Sequence, residues 1–181
     1  RFDLYADVVT NPVYFRTHDG IAWSDWAVYA GGTTVTLAHA GDRVQFKGDN
    51  ASYAKDASEM NNSNFKFSKD CYVYGNAMSL ITSSDFSTCV SFAWASSFNF
   101  ALLFAHNPHL LSHPSKSLLL PATSLADRCY NYMFEGCSSL TKAPDLPAKT
   151  LMLDCYEYMF YECFNLSQAP ALPATTLAED C

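Results

Sequence analysis

Three histidines lie close together in His106-Asn-Pro-His109-Leu-Leu-Ser-His113, at separations of three and four residues that could bring imidazoles to one metal ion. The Asn107-Pro108 step argues against a helix there, because the residue before a proline is pushed toward extended backbone, and no carboxylate accompanies the three rings. No zinc site is expected, and no other metal or cofactor. Cysteine is the next reactive type. Of the seven, Cys129/Cys137 and Cys155/Cys163 are each eight residues apart, wider than the close pairs of a structural zinc site. They read as a ladder of buried thiols packing as small hydrophobes. Disulfides between stacked units stay open, as does a bond between Cys71 and Cys89, since sequence does not fix connectivity.

Catalytic machinery is hard to assemble from the remaining residues. The chain has no Gly-x-Ser-x-Gly, no His-Glu-x-x-His and no Walker loop. Its carboxylates fall at helix-cap and exposed positions, where paired acid/base work is not expected. No catalytic residue is assigned, and the chain is read as no enzyme. Trp23 and Trp26 follow the Asp19-Gly20 turn. Exposed, they would suit a carbohydrate platform; the preferred reading is core packing, because Trp is highly buried on average. Leu172-Pro-Ala-Thr-Thr176 resembles a sortase signal without its glycine and recurs inside a repeat, so it is rejected. Three Asn-x-Ser sequons, at Asn50, Asn61 and Asn165, matter only in a source that glycosylates them.

The elements that would position these residues fall into two textures. From Leu120 onward the chain repeats: Leu120-Pro-Ala-Thr-Ser-Leu-Ala-Asp-Arg-Cys129, Leu146-Pro-Ala-Lys-Thr-Leu-Met-Leu-Asp-Cys155 and Leu172-Pro-Ala-Thr-Thr-Leu-Ala-Glu-Asp-Cys181 align without gaps at a 26-residue offset. Tyr130-Asn-Tyr-Met-Phe134 matches Tyr156-Glu-Tyr-Met-Phe160. A degenerate earlier unit puts Asn107 where the next has Cys137. Recurring leucines at a period of 20 to 29 are the signature of a leucine-rich-repeat solenoid. Within a unit, Ser124 with Asp127 suggests a helix cap, and Leu125, Cys129 and Met133 form a helix-like inward stripe. Leu140 to Leu146 reads as extended, with Pro144 unable to donate. The expectation is one helix and one short strand per unit. The chain stops in the middle of a unit, and more repeats are expected beyond Cys181.

Residues 1–80 read differently. Val13–Arg16, Ala27–Tyr29, Thr33–Leu37, Val44–Lys47 and Phe65–Phe67 are short aromatic and β-branched runs between Gly-containing turns, which suggests an antiparallel β-sandwich-like domain. The expected fold class is therefore α+β: a β-sandwich-like domain over 1–80, a junction or cap over 81–99, and leucine-rich repeats over 100–181.

Composition narrows the partners. Hydrophobic residues make up 49% of the chain and charged ones 16%, which indicates a folded protein. The net charge of −7 works against a nucleic-acid ligand. No run approaches the length of apolar sequence that a membrane-spanning helix needs.

The Met-Phe-x-Gly-Cys-Ser-Ser-Leu and Leu-Pro-Ala-Thr-Thr-Leu-Ala segments resemble the BspA-like leucine-rich-repeat proteins of gut and oral bacteria. Gly41-Asp-Arg-Val-Gln-Phe-Lys-Gly48 and Val73-Tyr-Gly-Asn-Ala-Met-Ser-Leu80 resemble the β-domain that precedes such repeats. The resemblance implies export, an extracellular or cell-surface location anchored to the outer membrane, and an adhesin that meets protein or glycan partners within a larger surface assembly. Lys142, Asp145 and Gln168 on the repeat face, with Trp23 and Trp26, are the candidate ligand-binding side chains. The alternative is a glycan- or peptide-capturing surface lipoprotein accessory to an outer-membrane uptake complex; a spacer or assembly subunit needs only the fold.

Overall fold

The computed structural model describes residues 1–92 and 97–181; the junction read over 81–99 therefore lies partly outside the described residues. Among the described residues nine short strands occur, β1 (Phe2–Asp3), β2 (Tyr14–His18), β3 (Ala27–Val28), β4 (Arg43–Lys47), β5 (Asn64–Phe65), β6 (Cys71–Tyr72), β7 (Gly75–Asn76), β8 (Leu110–Leu111) and β9 (Leu118–Leu119). Among the described residues helical backbone is confined to two 3₁₀ turns, Glu59–Asn61 and Ala77–Leu80. Ser58 and Asn76 cap them by accepting from the backbone N–H groups of Met60 and Met78.

No β-sandwich forms over residues 1–80. β2 pairs antiparallel with β3 and β4 in a three-stranded sheet, while β1 pairs separately with β5. Thr33–Leu37 makes no strand. The glycine-rich turns keep the runs short, and β6 and β7 pair parallel with β8 and β9, so they serve the following layer instead of a second sheet.

The expected helix-and-strand solenoid unit is also absent, because among the described residues there is no α-helix. The backbone hydrogen bonds show why. Asn131, Met133, Glu135 and Cys137 donate to the carbonyls three residues earlier, at 3.3, 3.1, 3.1 and 3.0 Å. The residues between them donate across to the next repeat: Arg128, Tyr130, Tyr132, Phe134 and Gly136 reach the carbonyls of Leu153, Cys155, Glu157, Met159 and Tyr161 at 2.8–3.1 Å. A continuous helix would use all of these donors internally and leave none to join the coils.

Every fourth residue of this run takes left-handed backbone. Arg128, Tyr132 and Gly136 do so, as do Asp154, Tyr158 and Glu162 one repeat later, and Phe98, Leu102 and His106 one repeat earlier. For residues other than glycine this costs about 1–2 kcal/mol each, offset by the crossing hydrogen bonds and the burial beneath. Aromatic residues, Cys, Asn and Gly are weak helix formers, which lowers the penalty for leaving the helix.

The four-residue turn also explains the helix-like stripe. Leu125, Cys129, Met133 and Cys137 are all buried because the turn repeats every four residues, close enough to the 3.6 of a helix to imitate it. The extended segment is reduced in the same way: among the described residues, Lys142 meets Gln168 and Thr150 meets Thr176 at single parallel bridges.

Stacking of the coils is visible in the aromatic side chains. Phe2, Phe65, Phe104, Phe134 and Phe160 form one column, with successive ring centroids 3.8, 5.2, 5.6 and 5.6 Å apart and planes within 17°. Tyr130 stacks on Tyr156 and Tyr132 on Tyr158 beside it. The column runs from the first strand to the last coil, and a single hydrophobic cluster contains residues from both halves of the chain.

Candidate functional site

The three-stranded sheet sets one face toward the core and the other outward. Side chains alternate along a strand, so Phe15 and Phe46, which pair across β2 and β4, turn together toward Tyr29 and Phe2. Their neighbours Tyr14, Arg16 and His18 face the opposite way, opposite Lys47, Gln45 and Arg43. The turn after β2 folds back over this outer face: Ser24 N–H donates to the Thr17 carbonyl at 2.8 Å, and Asp19 Oδ1 accepts from Ile21 and Ala22. That fold-back delivers Trp23 and Trp26.

Neither tryptophan joins the core. Both are half-buried on the outer face, where the Arg16 guanidinium carbon lies 4.6 Å from each indole centroid. Arg43 lies 5.2 Å from the Trp23 ring and Lys47 4.6 Å from the Trp26 ring. Arg16 Nε donates to Gln45 Oε1 at 2.8 Å, and Arg43 Nη2 lies 3.1 Å from His18 Nε2. The preference for core packing is thus overturned. At surface sites such cation–π contacts contribute about 0.5–1 kcal/mol each, enough together to hold the row in one arrangement. Arg16, Arg43 and Lys47 were not singled out from sequence. The alternation Tyr14-x-Arg16-x-His18 and Arg43-x-Gln45-x-Lys47 was the signal available for them.

No family model, curated protein or solved structure matches this chain.

Lys142, Asp145 and Gln168 are exposed, with Lys142 and Gln168 adjacent across the parallel bridge between two coils. They lie on the repeats, apart from the sheet that carries the tryptophans.

The histidines diverge. His106 Nε2 contacts Glu59 at 2.8 Å and Glu135 at 3.7 Å, His109 contacts Asp70 at 2.8 Å, and His113 packs edge-on against Tyr72 and Tyr74. Among the described residues no group of three or more His, Cys, Asp or Glu is placed to hold a metal ion. Burial raises the Glu135 carboxyl above its ordinary range even though His106 beside it acts in the opposite sense.

All seven cysteines carry free thiols, four of them buried. Burial pushes Cys137 up to about 12 and Cys155 and Cys163 up to about 11. Such thiols are poor nucleophiles, since the thiolate is the reactive form. Cys137 and Cys163 each donate to a carbonyl of the preceding coil, Phe104 and Phe134, at 3.0 and 3.1 Å. Asn107 holds the corresponding place one coil earlier, donating to Phe65 at 2.6 Å.

Two small cavities lie elsewhere on the molecule. One of about 40 Å³ is lined by residues including Val73, Leu110 and Pro144; the other, of about 200 Å³, lies among Arg1, Thr34, Lys66, Phe67 and Ser68. Among the described residues no helix is long and apolar enough to cross a membrane.

Proposed function

We propose that this chain is a non-catalytic binding protein of the cell exterior that meets its partner through the outer face of the β3–β2–β4 sheet. One observation carries the reading: Trp23 and Trp26 are held out of the core and interleaved with three cations. Tryptophan and arginine are enriched among residues that dominate binding energy, and this face keeps both in a fixed arrangement. Location outside the cell rests on the resemblance of the repeat motifs to BspA-like surface proteins.

The test is binding of the purified chain to an array of glycans and extracellular-matrix proteins, beside a Trp23→Ala/Trp26→Ala variant whose fold is checked by near-ultraviolet circular dichroism. The expected result is binding by the parent and at least tenfold weaker binding by the variant, about 1.4 kcal/mol. Undiminished binding by the folded variant sinks the reading.

A second reading, a protein-binding adhesin face on the repeats, is favoured by the exposed, bridged pair Lys142 and Gln168 with Asp145 near it. It requires that Lys142→Ala/Gln168→Ala, and not the tryptophan variant, weakens binding to a matrix protein.

A further inference from the structure

We propose that the outer face of the β3–β2–β4 sheet binds an acidic polysaccharide, a glycan carrying carboxylate or sulfate groups along its length; this rests on the reading of that face as the binding surface. Charge supplies the first argument. The chain has eleven Lys and Arg residues and a net charge of −7, yet three of those cations, Arg16, Arg43 and Lys47, gather on this one face around two indoles. Among the described residues none of the three has a carboxylate at ion-pair distance. Nearby acids are otherwise engaged: Asp19 accepts from the N–H groups of its own turn, and Asp42 from the His39 N–H. Asp25, between the tryptophans, is exposed and makes no ion pair with them. The positive charge is left for a ligand.

Spacing supplies the second. Arg16 is shared by both rings, with Arg43 on the Trp23 side and Lys47 on the Trp26 side. The cations form a row held apart by aromatic rings, neighbours separated by no more than their two ring distances combined. A row on an open sheet face fits an extended polymer with repeated anionic groups, and neither of the two cavities lies on it. Guanidinium groups match planar carboxylate and sulfate oxygens, while the exposed Gln45 amide lies in the same row to donate to hydroxyls. Single-stranded nucleic acid fits less well, since base stacking needs a free aromatic face and each indole already has two cations over its ring.

The experiment is retention of the folded chain on immobilised heparin and polygalacturonate, with dextran as the neutral and oligo(dT) as the phosphate comparator. The expected result is retention by both acidic glycans, released by added NaCl, and little by dextran or oligo(dT). Arg16→Gln and Lys47→Gln each lower affinity by about tenfold, the loss of one charge-assisted hydrogen bond, and Asp25→Asn raises it. No retention on either acidic glycan, equal retention on dextran, or equal retention on oligo(dT) overturns the proposal. If a neutral glycan or a protein is bound instead, and Trp23→Ala/Trp26→Ala abolishes that binding, only the acidic-glycan assignment falls. If the tryptophan variant binds everything as the parent does, the binding face falls with it.

Discussion

The Cys137 thiol donates to the Phe104 carbonyl of the preceding coil at 3.0 Å. One coil later the Cys163 thiol does the same to Phe134, at 3.1 Å. One coil earlier Asn107 does it with an amide, donating to Phe65 and Phe104 at 2.6 and 2.9 Å while accepting from the Phe67 N–H at 3.0 Å. The position needs a short donor aimed at backbone, and Asn makes more of it than Cys.

Truncating these residues should rank accordingly. Cys137→Ala removes one buried donor and a small volume, and a loss of about 1–3 kcal/mol is expected. Asn107→Ala strands several buried backbone groups and should cost more, about 3 kcal/mol or above. Asn107→Cys should recover part of that. Urea denaturation reads all three; an Asn107→Ala protein as stable as Cys137→Ala contradicts the shared role.

Alkaline pH should weaken the fold in a defined window. The buried thiols of Cys137, Cys155 and Cys163 have values raised from 9.0 to about 12, 11 and 11. Below pH 9 folded and unfolded chains hold the same thiol protons, so this contribution is fully present. Between pH 9 and about 11 the unfolded chain releases protons that the folded chain keeps, and stability falls by up to about 1.4 kcal/mol per pH unit for each thiol. Melting temperature should be flat from pH 7 to 8.5 and then drop. Cys137→Ala/Cys163→Ala should make the drop shallower, Cys155 still contributing; an unchanged slope in that variant removes those two thiols as contributors.

The phenyl column predicts that the two halves of the chain unfold together. Phe134→Ala opens the column between Phe104 and Phe160 and should cost about 3–5 kcal/mol. All three tryptophans of the sequence precede residue 100, whereas Phe134 lies in the repeats. Tryptophan fluorescence and far-ultraviolet circular dichroism should therefore give coincident transitions, both shifted by the substitution. Separate midpoints would show that the column does not couple the halves.

Part of this architecture was legible in the residues. The 26-residue offset read from Cys129, Cys155 and Cys181 is the register at which Lys142 meets Gln168 and Thr150 meets Thr176. Tyr14–His18 and Arg43–Lys47 were read as strands to within a residue or two, because their side chains alternate. The helix was misread because Leu125, Cys129 and Met133 recur at four, and a burial stripe reports which residues face inward without reporting how the backbone gets them there. The tryptophans were misplaced because average burial is a property of a residue type, and the turn from Asp19 to Ser24 overrides it.

The sequence by itself determined the repeat length, the exchange of Asn107 for Cys137 at one repeat position, and the strands at Tyr14–His18 and Arg43–Lys47, since these follow from local spacing and side-chain size. The tertiary structure decided which carbonyls the alternate N–H groups would meet, and so whether the run would be a helix or a stack of turns. It also decided the position of Arg16 between Trp23 and Trp26. Both depend on segments that are distant in the chain or folded back on themselves, and their energies come from contacts that no window of sequence contains.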